Sequence, residues 1–200
     1  MATNDKSAPL AGVVLAAGAT PWEGRAKALK QVTGGRTTAV EHVVSILGER
    51  CQPIFVVTSP GQSLPELSAQ VVRDDLRGGG QLSAIGCGLR AAADAGAKYA
   101  FLASVDATIL SADVIDLLAA RAAQDDAAIV LPWDGSNHYL AAVYRTELAS
   151  VVDDLVAAGE RGIPALVARV DSQRVVIGDA GSPVEAKPTS GLRSLLSAGR

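Results

Sequence analysis

A lysine and an aspartate, each placed just beyond a short apolar run, carry most of the chemical promise of this chain. The first run, Gly12-Val-Val-Leu-Ala16, passes into the small residues Ala17-Gly-Ala19, and Lys27 follows after Gly24. Small residues let backbone N–H groups approach an anion closely, and a lysine nearby neutralises phosphate. The pattern is not a Walker loop: five residues separate Gly18 from Gly24, Arg25 comes next, and this turn has no G-x-G-x-x-G. The second run, Phe101-Leu-Ala-Ser-Val105, stops at Asp106. A carboxylate there suits a hard divalent cation bridged to nucleotide phosphates, and equally serves as a turn former or helix cap. Asp74, after Val71-Val-Arg73, offers an acceptor to a ribose, a base or turn amides, and Thr58 ends a further run, Ile54-Phe-Val-Val57.

Something must bring these positions together, and the alternation of short β-rich runs with longer helical patterns supplies it. Strands are expected at Gly12–Ala16, Ile54–Val57, around Val71-Val72, and at Tyr99–Val105, Ala128–Leu131, Leu140–Val143 and Val175–Ile177. The continuous apolar character of the first strand fits a parallel sheet covered on both faces. Thr38 and Glu41 have capping-box spacing, and Val40, Val43, Val44 and Leu47 then predict a helix to Gly48. Further helices are expected over Leu82–Ala95, after a Ser111 cap, over Thr146–Ala158, and from Ile163. Gly18 to Gly35 and Arg77-Gly-Gly-Gly80 read as loops. Gly86-x-Gly88-x-x-Ala91 follows a loop rather than a strand, so it reads as close helix packing and not as a cofactor fingerprint. The result is one α/β domain, residues 9–200, behind a short flexible tail, 1–8. Ligands of such sheets collect at the carboxyl ends of the strands, here Ala16 to Gly18, Thr58, Asp74 and Asp106.

Composition narrows the function classes. At 200 residues, with 48% apolar side chains, the chain is long enough to bury a core without staples. A net charge of −3, from 18 basic and 21 acidic side chains, creates no field that would hold a polyanion, which excludes a nucleic-acid coat and points to a small substrate. Cys51 and Cys87 have no metal or disulfide spacing and are expected to be buried, in keeping with a reducing compartment. No apolar run reaches the roughly 20 residues of a membrane span, and the segment before Pro9 lacks the basic character of a signal peptide. A cytoplasmic protein, monomeric or weakly self-associating, is the expectation.

Taken together, Val13-Val-Leu-Ala-Ala-Gly18, Gly24-x-x-Lys27, Arg73-Asp74, Gly80-x-Leu-x-Ala-Ile85 and Val105-Asp106 resemble the molybdenum cofactor guanylyltransferase family. The likeness extends to Leu140-Ala-Ala-Val-Tyr144 and Ala158-Gly-Glu-Arg161, so it covers nearly the whole chain. It implies a three-layer αβα nucleotidyltransferase fold with a mostly parallel mixed sheet. It also implies Mg²⁺, GTP and a molybdopterin acceptor, with GMP passed to the pterin's terminal phosphate and pyrophosphate released. By the same resemblance Leu15, Ala16 and Ala17 would contact guanine and phosphates through their backbone, Lys27 would hold the triphosphate, Asp74 would sit by the nucleoside and Asp106 would bind the metal. Gly18 and Thr58, at strand ends of the same sheet, are counted with the nucleotide-binding residues. His138 and Arg161 are placed on the acceptor side.

The chain departs from the family where Arg-Met precedes the second glycine and an acid precedes the lysine: here stand Trp22-Glu23 and Ala26. The family's Asp-x-Pro is Asp106-Ala-Thr108, its Gly-Pro-Leu is Gly80-Gln-Leu82, and its late Asn-Val-Asn is Ala186-Lys-Pro188. These changes leave two rivals standing: a non-catalytic paralogue that binds a ligand or partner in cofactor handling, and a transferase for another nucleotide or phosphorylated acceptor. His42 reads as a helix-surface or packing residue. Trp133 reads as a loop anchor or pocket wall, and Glu160-Arg161 as a phosphate contact or a helix cap.

Overall fold

The structure, a computed structural model, describes residues 10–18, 21–32, 36–76 and 78–178. The expected N-terminal tail and Ala186-Lys-Pro188 lie outside the described residues. Seven strands form one mixed sheet: β1 (Leu10–Leu15), β2 (Ile54–Thr58), β3 (Gln70–Arg73), β4 (Tyr99–Ser104), β5 (Ile129–Trp133), β6 (Ala141–Arg145) and β7 (Ser172–Val176). Their spatial order is β3-β2-β1-β4-β6-β5-β7. All neighbours pair parallel except β6, which runs antiparallel to both β4 and β5.

Alternation along the strands builds two cores. Val13 and Leu15 of β1 join Phe55, Val57 and Leu102 on one face, whereas Val14 and Ala16 join Val56, Phe101 and Ala103 on the other. The first face is covered by α3 (Gly80–Asp94), α5 (Leu148–Ala157) and α6 (Ile163–Arg169). The second is covered by α2 (Ala39–Gly48) and α4 (Ala112–Asp125). This is the expected three-layer arrangement.

Local signals set the helix starts. Thr38 Oγ1 accepts from Glu41 N while Thr38 N donates to Glu41 Oε2 at 2.7 Å, completing the capping box that opens α2. Ser111 caps α4 through Val114 N. The glycines of α3 are there for packing, as expected. A Cβ on Gly86 would come within 2.8 Å of Val152 Cγ1, and one on Gly88 within 2.4 Å of Val13 Cγ1.

Three expectations change. The segment read as loop from Gly18 contains a helix, α1 (Pro21–Ala28). It has no amphipathic stripe, but Pro stands at its first position, Glu23 in its first turn and Arg25 and Lys27 in its last, which is favourable placement for all of them. The glycine loop before α3 is also shorter than expected, because the helix begins at Gly80. Cys51 is buried, but Cys87 is only half-buried, and its thiol lies 3.5 Å from Arg73 O.

Burial pushes the Cys51 thiol up to about 12 and raises that of Cys87 as well. Native protein at pH 8 is therefore expected to react slowly with iodoacetamide at both thiols and fast in denaturant; rapid native labelling of Cys51 would contradict this packing. Gly88→Ala is expected to cost about 1–3 kcal/mol in a urea titration, because Val13 lies in the sheet and has little room to yield. Gly48→Ala, whose new methyl meets nothing nearer than 3.7 Å, is expected to be tolerated.

Candidate active site

The parallel strands β1, β2, β3 and β4 all end at one edge of the sheet, and the candidate residues gather there. β1 delivers Ala16 to Gly18, β2 delivers Thr58, Asp74 follows β3, and Asp106 follows β4. Because β6 is antiparallel to β4, its first residues lie at the same edge: Ser104 N donates to Leu140 O at 3.1 Å. The His138-Tyr139 segment that precedes β6 is thereby brought beside Asp106. An open cleft of about 280 Å³ between them is lined by Asp106, Thr108, His138, Tyr139, Gln81 and Ile163, among others. Gln81 belongs to the first turn of α3, so a helix N-terminus faces the cleft, where its dipole favours an anion.

The loop after β1 is held by main chain packed on main chain. A Cβ on Gly18 would lie 2.4 Å from Gly24 N, and one on Gly24 would lie 2.6 Å from Gly18 N and 2.9 Å from Ala16 O. Only glycine fits at either place. This contact seats α1, and α1 carries Lys27 to Asp106: Nζ and Oδ2 stand 3.7 Å apart. The two side chains are 62% and 65% exposed, so the pair is worth at most about 1 kcal/mol to stability and remains available to a ligand.

The other expected residues divide into two groups. Asp74 stays at the edge, with Oδ1 accepting from Ser83 Oγ at 2.8 Å and Leu76 N at 3.2 Å. This orients its carboxylate and ties it to the first turn of α3. His138 also stays, with Nε2 2.8 Å from Asp134 Oδ1 in a short but poorly aligned contact that holds the Asp134 carboxyl below its usual range. Ala17 and Gly18 are half-buried at the opening.

Leu15 and Ala16, by contrast, belong to the sheet. Leu15 pairs with Val57 and Ser104 and sends its side chain into the core, and Ala16 N donates to Val57 O at 2.9 Å. Thr58 is fully buried and its hydroxyl donates to Val72 O at 3.3 Å, so its side chain serves β2–β3 packing rather than the open edge. The Arg161 guanidinium donates to Val156 O at 3.0 Å and Glu160 O at 2.7 Å, which makes it a cap for the end of α5 rather than an arm into the cleft. Trp133 is covered by Arg174, whose Cζ lies 5.7 Å from the ring centre, and anchors the end of β5. His42 is exposed on α2.

The sequence pattern singled out neither Gln62 nor Ser83, and Gln81 only as a departure from the family's Gly-Pro-Leu. Gln62 follows β2 in a turn with no motif, yet its side chain is nearly buried and reaches back to β1. Only the three-dimensional closeness of the β1 and β2 ends exposes its role.

The model of the MobA-like NTP transferase domain matches residues 12–175. The chain belongs to this family. It is 53% identical over 192 residues, 96% of both chains, to a protein of Mycobacterium tuberculosis named a probable molybdenum cofactor guanylyltransferase. It is 56% identical over 171 residues to one of the same name from Mycobacterium marinum, covering 86% of this chain and 85% of that one. Among solved structures, the molybdopterin-guanine dinucleotide biosynthesis protein A of Archaeoglobus fulgidus superposes with a TM-score of 0.68 at 18% identity, over 84% of this chain and 83% of that one. The 2-C-methyl-D-erythritol 4-phosphate cytidylyltransferase of Thermus thermophilus gives 0.63 at 15%, over 89% and 93%. These two likenesses establish the nucleotidyltransferase fold.

The glycine contact leaves the β1–α1 loop no space for a single methyl at Gly24. Gly24→Ala is expected to unseat α1, seen as faster tryptic cleavage after Arg25 and Lys27 and a loss of about 1–3 kcal/mol in urea. Unchanged cleavage would mean that the loop yields without cost.

Proposed function

We propose that this nucleotidyltransferase moves GMP from GTP to the terminal phosphate of molybdopterin and releases pyrophosphate. The observation that carries the reading is the meeting of Lys27 and Asp106 at 3.7 Å across the ends of β1 and β4. It is joined by the names of relatives identical at more than half their positions. An oxygen of the acceptor phosphate forms a bond to the α-phosphorus as the bond to the bridging oxygen of pyrophosphate breaks. Two anions must approach for this, so the protein's work is positioning and neutralisation of charge. Lys27 supplies a mobile ammonium to the triphosphate, and the N-terminus of α3 adds its dipole on the side of the cleft. Ala17 and Gly18 bring main chain close to the nucleotide, and Asp74, steadied by Ser83, faces the nucleoside. His138 lines the acceptor side of the cleft; Arg161, committed to α5, is not assigned a contact there.

The Asp106 carboxylate at the site suits Mg²⁺, which phosphoryl-transfer sites commonly hold through one or two carboxylates, with substrate phosphates and water completing the shell. The ion would neutralise phosphate charge when bound. Beside it, Lys27 keeps the Asp106 carboxylate from facing the triphosphate as an uncompensated negative charge.

Three of the departures from the family pattern leave the seat of α1 intact. Trp22, at 77% exposure, Glu23 and Ala26 all occupy exposed positions of α1, whereas Gly24 and Ala28, which seat the helix, are buried. The changes thus alter the charge around the loop without dislodging Lys27. No described helix is long and apolar enough to cross a membrane.

Calorimetry with GTP, CTP and UTP in Mg²⁺ is expected to show a preference for GTP, and purified protein to guanylylate molybdopterin. Lys27→Ala and Asp106→Ala are each expected to lower the turnover about 10²–10³-fold while leaving the urea midpoint almost unchanged. GTP binding without turnover would favour the non-catalytic rival, and preference for CTP or UTP would reassign the nucleotide.

A further inference from the structure

Gln62 is a polar side chain enclosed where three segments meet. It sits in the turn after β2, is 8% exposed, and spends both ends of its carboxamide inside the protein. Nε2 donates to Ala16 O at 2.9 Å, and Oε1 accepts from Ser59 N at 3.3 Å. Its own backbone N–H donates to Ser59 O at 3.2 Å, closing the turn that aims the side chain. The third segment is α1: a Cβ on Gly24 would stand 2.9 Å from Oε1, so the carboxamide lies against the bare backbone of that glycine. One planar group thereby contacts the end of β1, the turn after β2 and the helix that carries Lys27.

We infer that Gln62 is a positioning residue for the triphosphate end of the site: its carboxamide fixes the seat of α1 against the end of β1 and so sets where Lys27 stands relative to Asp106. Three features carry this. Ala16 O, which Gln62 holds, lies only 2.9 Å from where a Cβ on Gly24 would stand, so the end of β1 packs against the bare backbone of that glycine. Lys27 is three residues beyond Gly24 on the same short helix, so a tilt at Gly24 moves its ammonium. The ion pair between Lys27 and Asp106 is too exposed to hold α1 in place, whereas the main-chain contact of Gly18 with Gly24 and the buried Ala28 and Gln62 can. An apolar side chain of equal length would fill the space but leave Ala16 O and Ser59 N without these partners. The proposal rests on the guanylyltransferase reading for the identity of the nucleotide; the seating of α1 does not.

The test uses Gln62→Met, which keeps length and loses both hydrogen bonds, and Gln62→Glu, which keeps an acceptor for Ser59 N but has no donor for Ala16 O. Amide hydrogen exchange without nucleotide is expected to speed up by about 5-fold or more in residues 21–28 of both variants, with β1 and β4 unchanged as the check on folding. GTP affinity measured by calorimetry is expected to fall about 10-fold, and by less than about 2-fold when the same change is made in Lys27→Ala, because the two residues then act through one interaction. Unchanged exchange in residues 21–28 overturns the inference, and so does an equal loss of affinity in both backgrounds. If the unaltered protein binds no GTP, it is the guanylyltransferase reading that fails; the exchange of residues 21–28 still supports or overturns the role of Gln62.

Discussion

Between Gly18 and Gly24 there is no room for a side chain. The backbone leaving β1 and the backbone of α1 approach so closely that a Cβ on either residue would fall 2.4–2.6 Å from a main-chain nitrogen of the other. Such contact is what allows an eight-residue helix with no amphipathic face to be placed at all, since a helix this short has little stability of its own. Ala28 adds a small buried anchor at the far end of the helix, and Gln62 braces its middle from the neighbouring turn. The position of Lys27 is a consequence of these contacts rather than of any bond that Lys27 makes.

The sheet supplies the second half of the arrangement. Four adjacent parallel strands release the chain at a common edge, which concentrates Ala17, Gly18, Asp74 and Asp106 without any closeness in sequence. The single reversal, at β6, adds something a fully parallel sheet would not. It turns the start of a strand toward that edge, so that His138 and Tyr139 face Asp106 across the cleft. The nucleotide side and the acceptor side of the proposed reaction are thus separated by strand direction, with Asp106 on the boundary.

Most of the charge at this edge is exposed. The ammonium of Lys27 and the dipole of α3 attract anions, and the Asp106 carboxylate opposes them until a cation joins it. Trp22 and Glu23 both stand at exposed positions of α1, so they bear on the charge around the loop rather than on the packing beneath it. Packing tolerates little change because one methyl meets backbone, whereas an exposed side chain can move aside into water.

The sequence by itself determined the elements and most of the edge. Short β-rich apolar runs, the Thr38–Glu41 capping box and the Ser111 cap placed strands and helices within a few residues, and a small residue or an acid after a strand marked Gly18, Asp74 and Asp106. Those signals are local, and local sterics and hydrogen bonding govern them. Tertiary structure alone decided that Leu15, Ala16 and Thr58 are spent inside the sheet, that Arg161 caps α5, and that α1 exists. It also decided that Lys27 meets Asp106 and that Gln62 braces the loop. Each of these depends on groups far apart in the chain whose meeting is set by strand order and main-chain packing, and no spacing along one segment encodes that.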